Sequence, residues 1–131
     1  MFKINEKTKE IQITRGDIAS IGVTALNENG EEHEFQAGDI IRFKVFKAKD
    51  CDCVELQKDI VIAEATTMVL VDLTKDDTRI GDLIDKSVAY WYEIELNPDT
   101  RPQTIVGVEY NEETKKDEPK IFRLLPEGAD K

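Results

Sequence analysis

The chain predicts an all-β fold, an antiparallel β-sandwich with one short helix, and three observations carry that expectation. Short runs of alternating apolar and polar residues fill it almost end to end. Turn-forming residues separate the runs at regular spacing, as in Asn29-Gly30, Gly38-Asp39 and Asn97-Pro98-Asp99. The alternation is one-faced, so each strand offers one apolar side to a facing layer. An open barrel would leave a similar pattern. The sandwich is preferred because the run 87–96 suits a central strand against a facing sheet.

The elements follow in order. Residues 10–14 alternate cleanly and read as a strand, preceded by a short segment over 2–4. Arg15-Gly16-Asp17 is a tight connection. In 19–25, Ala19, Ile21, Val23 and Ala25 point one way, while Ser20, Gly22 and Thr24 point the other. Asn29-Gly30 is a strong turn signal because both residues tolerate positive φ. A short strand returns over 33–36, and in 40–47 Ile41, Phe43 and Val45 face inward. Strands are expected over 54–57, 60–63 and 67–73. Thr74 with Asp77 forms a weak capping box, and Ile80, Leu83 and Ile84 lie at helical spacing, so the spacing predicts a short helix over 75–84. In 87–96, Val88, Tyr90, Tyr92, Ile94 and Leu96 share one face, and Ala89, Trp91, Glu93 and Glu95 the other. Residues 103–110 and 120–125 read as a final hairpin around a solvated loop over 111–118.

With 131 residues the chain fits a single domain, residues 1–131, with 1–9 and 126–131 loosely ordered. Its 28 acidic residues against 18 basic ones give a formal net charge of -10, a field that repels nucleic acid and anionic membrane surfaces. No apolar run approaches a membrane span, and the first residues lack the apolar core of a signal peptide, so a cytoplasmic product is expected. Two cysteines make no disulfide framework, and their thiols are expected to be free in a reducing cell.

Few motifs rise above their structural explanations. Arg15-Gly16-Asp17 spells an adhesion tripeptide, yet Gly in a sharp turn with a capping Asp explains it more simply. Cys51 and Cys53, flanked by Asp50 and Asp52, lack a second ligand pair, and His33, the one histidine, is distant in sequence, so neither metal nor cofactor is expected. No nucleophile elbow, phosphate loop or His-Glu pair is present, so the chain is read as a non-enzyme. Trp91 on the outward face beside Glu93 is either covered by a second packing layer or an interface anchor. Trp91, Glu93 and Tyr110 are therefore the candidate interface residues, and Trp91 with Tyr110 could also stack on a sugar.

The order Ile13-Thr14-Arg15-Gly16-Asp17, a strand, Asn29-Gly30, then Gly38-Asp39-Ile40-Ile41-Arg42-Phe43-Lys44-Val45, resembles the N-terminal modules of phage baseplate upper proteins. So does Tyr90-Trp91-Tyr92-Glu93-Ile94-Glu95-Leu96, and similar sequences occur in phage tail-fibre appendages. The resemblance spans roughly 11–125. It implies an immunoglobulin-like β-sandwich serving as a structural subunit or adaptor of a phage or prophage tail or baseplate. Partners would be other tail proteins, with homo-oligomers in the particle. The chain would occupy the bacterial cytoplasm during assembly and the virion tail afterwards. It departs from those modules in carrying no coiled-coil heptads or receptor-binding part after Leu125, which points to an adaptor. A carbohydrate-binding or adhesion module is the alternative.

Overall fold

Alternate residues of the long strands turn to one common side, and that side is the core. The computed structural model describes residues 2–4, 8–27, 29–47, 53–81 and 84–127. The described residues form eleven strands: β1 (Phe2–Ile4), β2 (Ile11–Thr14), β3 (Ala19–Val23), β4 (Ile40–Phe46), β5 (Val54–Val61), β6 (Val69–Leu73), β7 (Val88–Leu96), β8 (Gln103–Val106), β9 (Glu109–Asn111), β10 (Lys116–Glu118) and β11 (Lys120–Leu125). The main sheet has the order β1-β2-β11-β7-β4-β5, with β8 also on β7. A two-stranded ribbon, β3–β6, is the second layer, and β9–β10 is a separate hairpin.

The core follows from the period-two pattern. Ile41, Phe43 and Val45 of β4 stand opposite Leu96, Ile94 and Tyr92 of β7, and all six are buried. Phe122 of β11 lies in register with Ile11 on one side and Tyr90 on the other. From the ribbon come Ile21 opposite Val71 and Val23 opposite Val69. These side chains join a single hydrophobic cluster that spans both layers. Phe43 sits at its centre, 5.7 Å from the Tyr92 ring and 6.2 Å from that of Phe122. A slip of one residue in β4 or β7 would turn this whole set toward solvent, so the register is strongly specified.

The structure departs from the sequence expectations in several places. The sheet is mixed rather than purely antiparallel, because β11 runs parallel to β2. No helix forms among the described residues. Thr74 and Asp77 do make their reciprocal bonds: the Thr74 N–H donates to Asp77 Oδ2 at 2.8 Å and the Asp77 N–H to Thr74 Oγ1 at 3.2 Å. The turn stops there because Thr78 is drawn into the core, while Gly81 takes φ +67. Part of the helix expected over 75–84, residues 82 and 83, lies outside the described residues. The strands expected over 54–57 and 60–63 are one continuous strand over 54–61, with 62 and 63 beyond its end; within it Lys58 pairs with Asp77 (2.9 Å) and Asp59 with Arg42 (2.9 Å). Residues 33–36 form no strand and make one isolated bridge, Phe35 to Thr66, while Glu32 just before them bridges to Leu26.

The expected final hairpin is also rebuilt. β8 and β11 do not pair with each other; both run antiparallel to β7 and lie in line along the edge that β4 leaves free. They act as two halves of one strand, interrupted by residues 107–119, which carry the β9–β10 hairpin. Within residues 1–9, expected to be loose, β1 is paired with β2 through Phe2↔Ile13 and Ile4↔Ile11.

Candidate functional site

Three regions carry the residues that the sequence brings forward. The first is the outer face of the main sheet. Trp91 alternates with the buried Tyr90 and Tyr92, so it projects away from the core. It lies in register with Phe46 of β4 and Ile121 of β11, and all three are half-buried. They form an apolar strip across the centre of the sheet. Beside it, Lys44 reaches Glu95 at 3.1 Å and Glu93 at 3.8 Å, with its ammonium 5.4 Å from the Phe46 ring centroid. Partial burial, and then the neighbouring charge of Glu95, push the Glu93 carboxyl above its ordinary range despite Lys44. Further along, Arg42 holds both Asp59 and Asp99. Trp91 and Glu93 thus share one surface. Tyr110 does not belong to β7: it stands on the β9–β10 hairpin opposite Asp117 and is 60% exposed.

The second region is the Arg15-Gly16-Asp17 turn. Its guanidinium donates to the Gly81 carbonyl at 3.0 Å and to Glu127 Oε2 at 3.1 Å. The Gly16 N–H donates to Thr78 Oγ1 at 3.0 Å, and that hydroxyl in turn faces the Asp17 carbonyl at 2.8 Å. Gly16 holds φ +90, where an added Cβ would meet Glu127 Oε1 at 3.0 Å. A tripeptide whose arginine is engaged by the protein's own carbonyls and carboxylate is a tied turn, not a presented loop.

The third region is a cleft that sequence reasoning missed. The ribbon has two strands and the sheet beneath it is six strands wide, so the inner face toward β8 and β1 is incompletely covered. There a cavity of about 930 Å³ opens between the layers. Its floor includes Tyr92, Ile94 and Leu96 of β7 and Ile11 of β2; β3 supplies Ile21 and Gly22 along one wall, and Ile105 and Val106 of β8 supply the other. Among the described residues, β3 pairs with β6 alone and β8 with β7 alone, so each presents a second edge without a strand partner. Among the described residues, Lys9 and His33 are the ionisable residues in the lining apart from Tyr92, and no carboxylate lines it. Tyr92 is tied at the base of the cleft, donating its hydroxyl to the Lys9 carbonyl, and burial raises its pKa to about 12. The sequence signal was faint: reading 103–110 as one strand conceals the departure after Val106 that frees the β8 edge.

His33 packs edge-on against Phe35, with centroids 5.2 Å apart, and lines the cleft. Among the described residues no three His, Cys, Asp or Glu side chains gather as a metal site. Cys53 is disulfide-bonded, which corrects the expectation of free thiols; Cys51 lies outside the described residues. No helix of the described residues is long and apolar enough to cross a membrane. Comparison with protein-family models, curated proteins and solved structures finds no match to this chain.

Proposed function

We propose that this chain is a non-enzymatic docking subunit, an adaptor with an immunoglobulin-like sandwich plan in a phage or prophage tail or baseplate. The observation that carries the docking role is the cleft: an apolar floor bounded by two strand edges that, among the described residues, have no second strand beside them. Such edges are usually covered or charged in proteins that stay alone, because their backbone groups template pairing with another chain. The ionisable groups of the outer face support the same reading, since Arg42, Lys44, Glu95 and Asp59 are engaged with one another. The tail assignment rests on the sequence resemblance. Its test is mass spectrometry of gradient-purified particles from a host that carries the gene. The chain is expected at a fixed ratio to the other tail proteins, and its absence from intact particles would end the assignment.

One observation favours the second reading, a carbohydrate-binding module. Tyr110 is exposed on the β9–β10 hairpin beside a polar recess lined by Asn111 and Glu118. An aromatic face flanked by hydrogen-bonding groups suits a pyranose ring. A glycan array probed with the wild-type chain and with Tyr110→Ala decides it: binding lost in the variant supports the module, and no binding by the wild type retires it.

A further inference from the structure

We propose that the cleft accepts one extended segment of a partner protein, which adds to the free edge of β3 as a third strand of the smaller layer. The inference rests on the docking reading above and names the partner's chemistry: an alternating apolar strand carrying an acidic residue or terminal carboxylate at its end. Three features converge on this occupant. β3 borders the cleft through Ile21 and Gly22, and its edge away from β6 has no strand beside it among the described residues. A peptide backbone satisfies such an edge, whereas a lipid or other amphiphile leaves its N–H and C=O groups without partners.

The floor residues are closed off in the core, and the accessible apolar margin of the cleft is on β8, where Ile105 and Val106 are half-buried. A strand laid beside β3 would set every second side chain toward the Ile105 and Val106 margin, the period-two recognition that strand addition uses. Ile105 and Val106 are half-buried hydrophobics already packed at the margin of the core, so the added strand would extend an existing cluster.

Charge selects the end group. The chain carries a net charge of -10, yet among the described residues no carboxylate lines this cleft, and Lys9 and His33 are the basic residues that do. An acidic terminus would meet Lys9 at the β1–β2 side, while the acidic field elsewhere on the surface would deter other approaches.

The test uses the full chain with a panel of ten-residue peptides that alternate Val or Ile with Thr and end in Asp, in Lys or in a neutral amide. Titration calorimetry ranks their affinities, and hydrogen exchange reports which amides become protected. The Asp-ended peptides are expected to bind best and to slow exchange in Ala19–Val23 by at least about tenfold. Lys9→Glu should weaken the Asp-ended peptides by about tenfold and reverse the preference toward Lys-ended ones. Ile105→Arg, checked by circular dichroism for an unchanged fold, should abolish binding of all three. Failure of every peptide to bind at millimolar concentration overturns the inference, as does protection of β5 or β1 in place of β3. Dodecanoate occupying the cleft while the peptides do not would also overturn it, assigning the site to an amphiphile. A chain found in purified particles that fails these peptide tests would sink this inference alone and leave the docking reading standing.

Discussion

Thr78→Val isolates one buried hydroxyl. Thr78 is fully buried in the turn after β6, and its Oγ1 accepts the Gly16 N–H at 3.0 Å while its O–H is within donating reach of the Asp17 carbonyl at 2.8 Å and the Lys75 carbonyl at 3.2 Å. Valine keeps the shape, so the cavity contribution is small and the loss is polar. The Gly16 N–H is then left in a partly buried site without its acceptor, at a cost of about 1–3 kcal/mol. Thr78→Ser keeps the hydroxyl and removes one methyl, at a cost of about 1 kcal/mol. Urea denaturation should give a lower midpoint with an unchanged slope for both variants, and the valine variant should be the less stable. On heating, its midpoint should fall by roughly 4 °C or more. Amide exchange at Gly16 should accelerate in the valine variant only. If Thr78→Val matches the wild type, or if serine proves the worse of the two, the hydroxyl does not hold this turn and the argument fails.

Other perturbations follow from the same geometry. Phe43→Ala should cost about 3–5 kcal/mol in a denaturant titration, because the ring is fully buried between Tyr92 and Phe122. Gly16→Ala, at φ +90 and against Glu127, should lose at least about 1 kcal/mol, and Gly30→Ala, with nothing near its Cβ, should lose less. Glu10 and Asp59 have lowered pKa values, through the Gln12 side chain and Arg42 respectively. Their contribution is therefore complete above their unfolded values of 4.5 and 3.8 and lost as pH falls through the folded values, which acid titration of stability will record. Glu93 has the opposite sign, raised by burial, so Glu93→Gln should not destabilise the fold at neutral pH by thermal melting. Tyr92 stays protonated in the fold up to about 12 against an ordinary 10.0, so stability should decline between those pH values, and Tyr92→Phe should flatten that decline.

The long strands were legible in the sequence because a period of two over seven or nine residues has few competing explanations. Ile41, Phe43 and Val45 could be placed inside before any coordinates, and so could Tyr90, Tyr92 and Ile94. Local chemistry was legible too: the Thr74–Asp77 reciprocal bonds form as read. What followed them was not, because burial of Thr78 depends on Gly16 and Asp17, which are distant in sequence. The same limit hid the cleft. Its walls come from β3 and β8, whose neighbours are set by the sheet order and not by either strand's own pattern. Trp91 was correctly turned away from the core, but only the register with Phe46 and Ile121 identifies what flanks it.

The parallel pairing of β11 with β2 has a consequence for how the chain reaches its native state. Synthesis delivers β11 after all the other strands, yet its place is in the interior of the sheet, between β2 and β7. Until those residues leave the ribosome, the earlier strands have a gap where Phe122 and Leu124 will sit. Long-range pairings of this kind are slow to form and leave nascent chains open to chaperones and to one another. A shortened product that stops before Lys120 should therefore aggregate rather than persist as a smaller native protein.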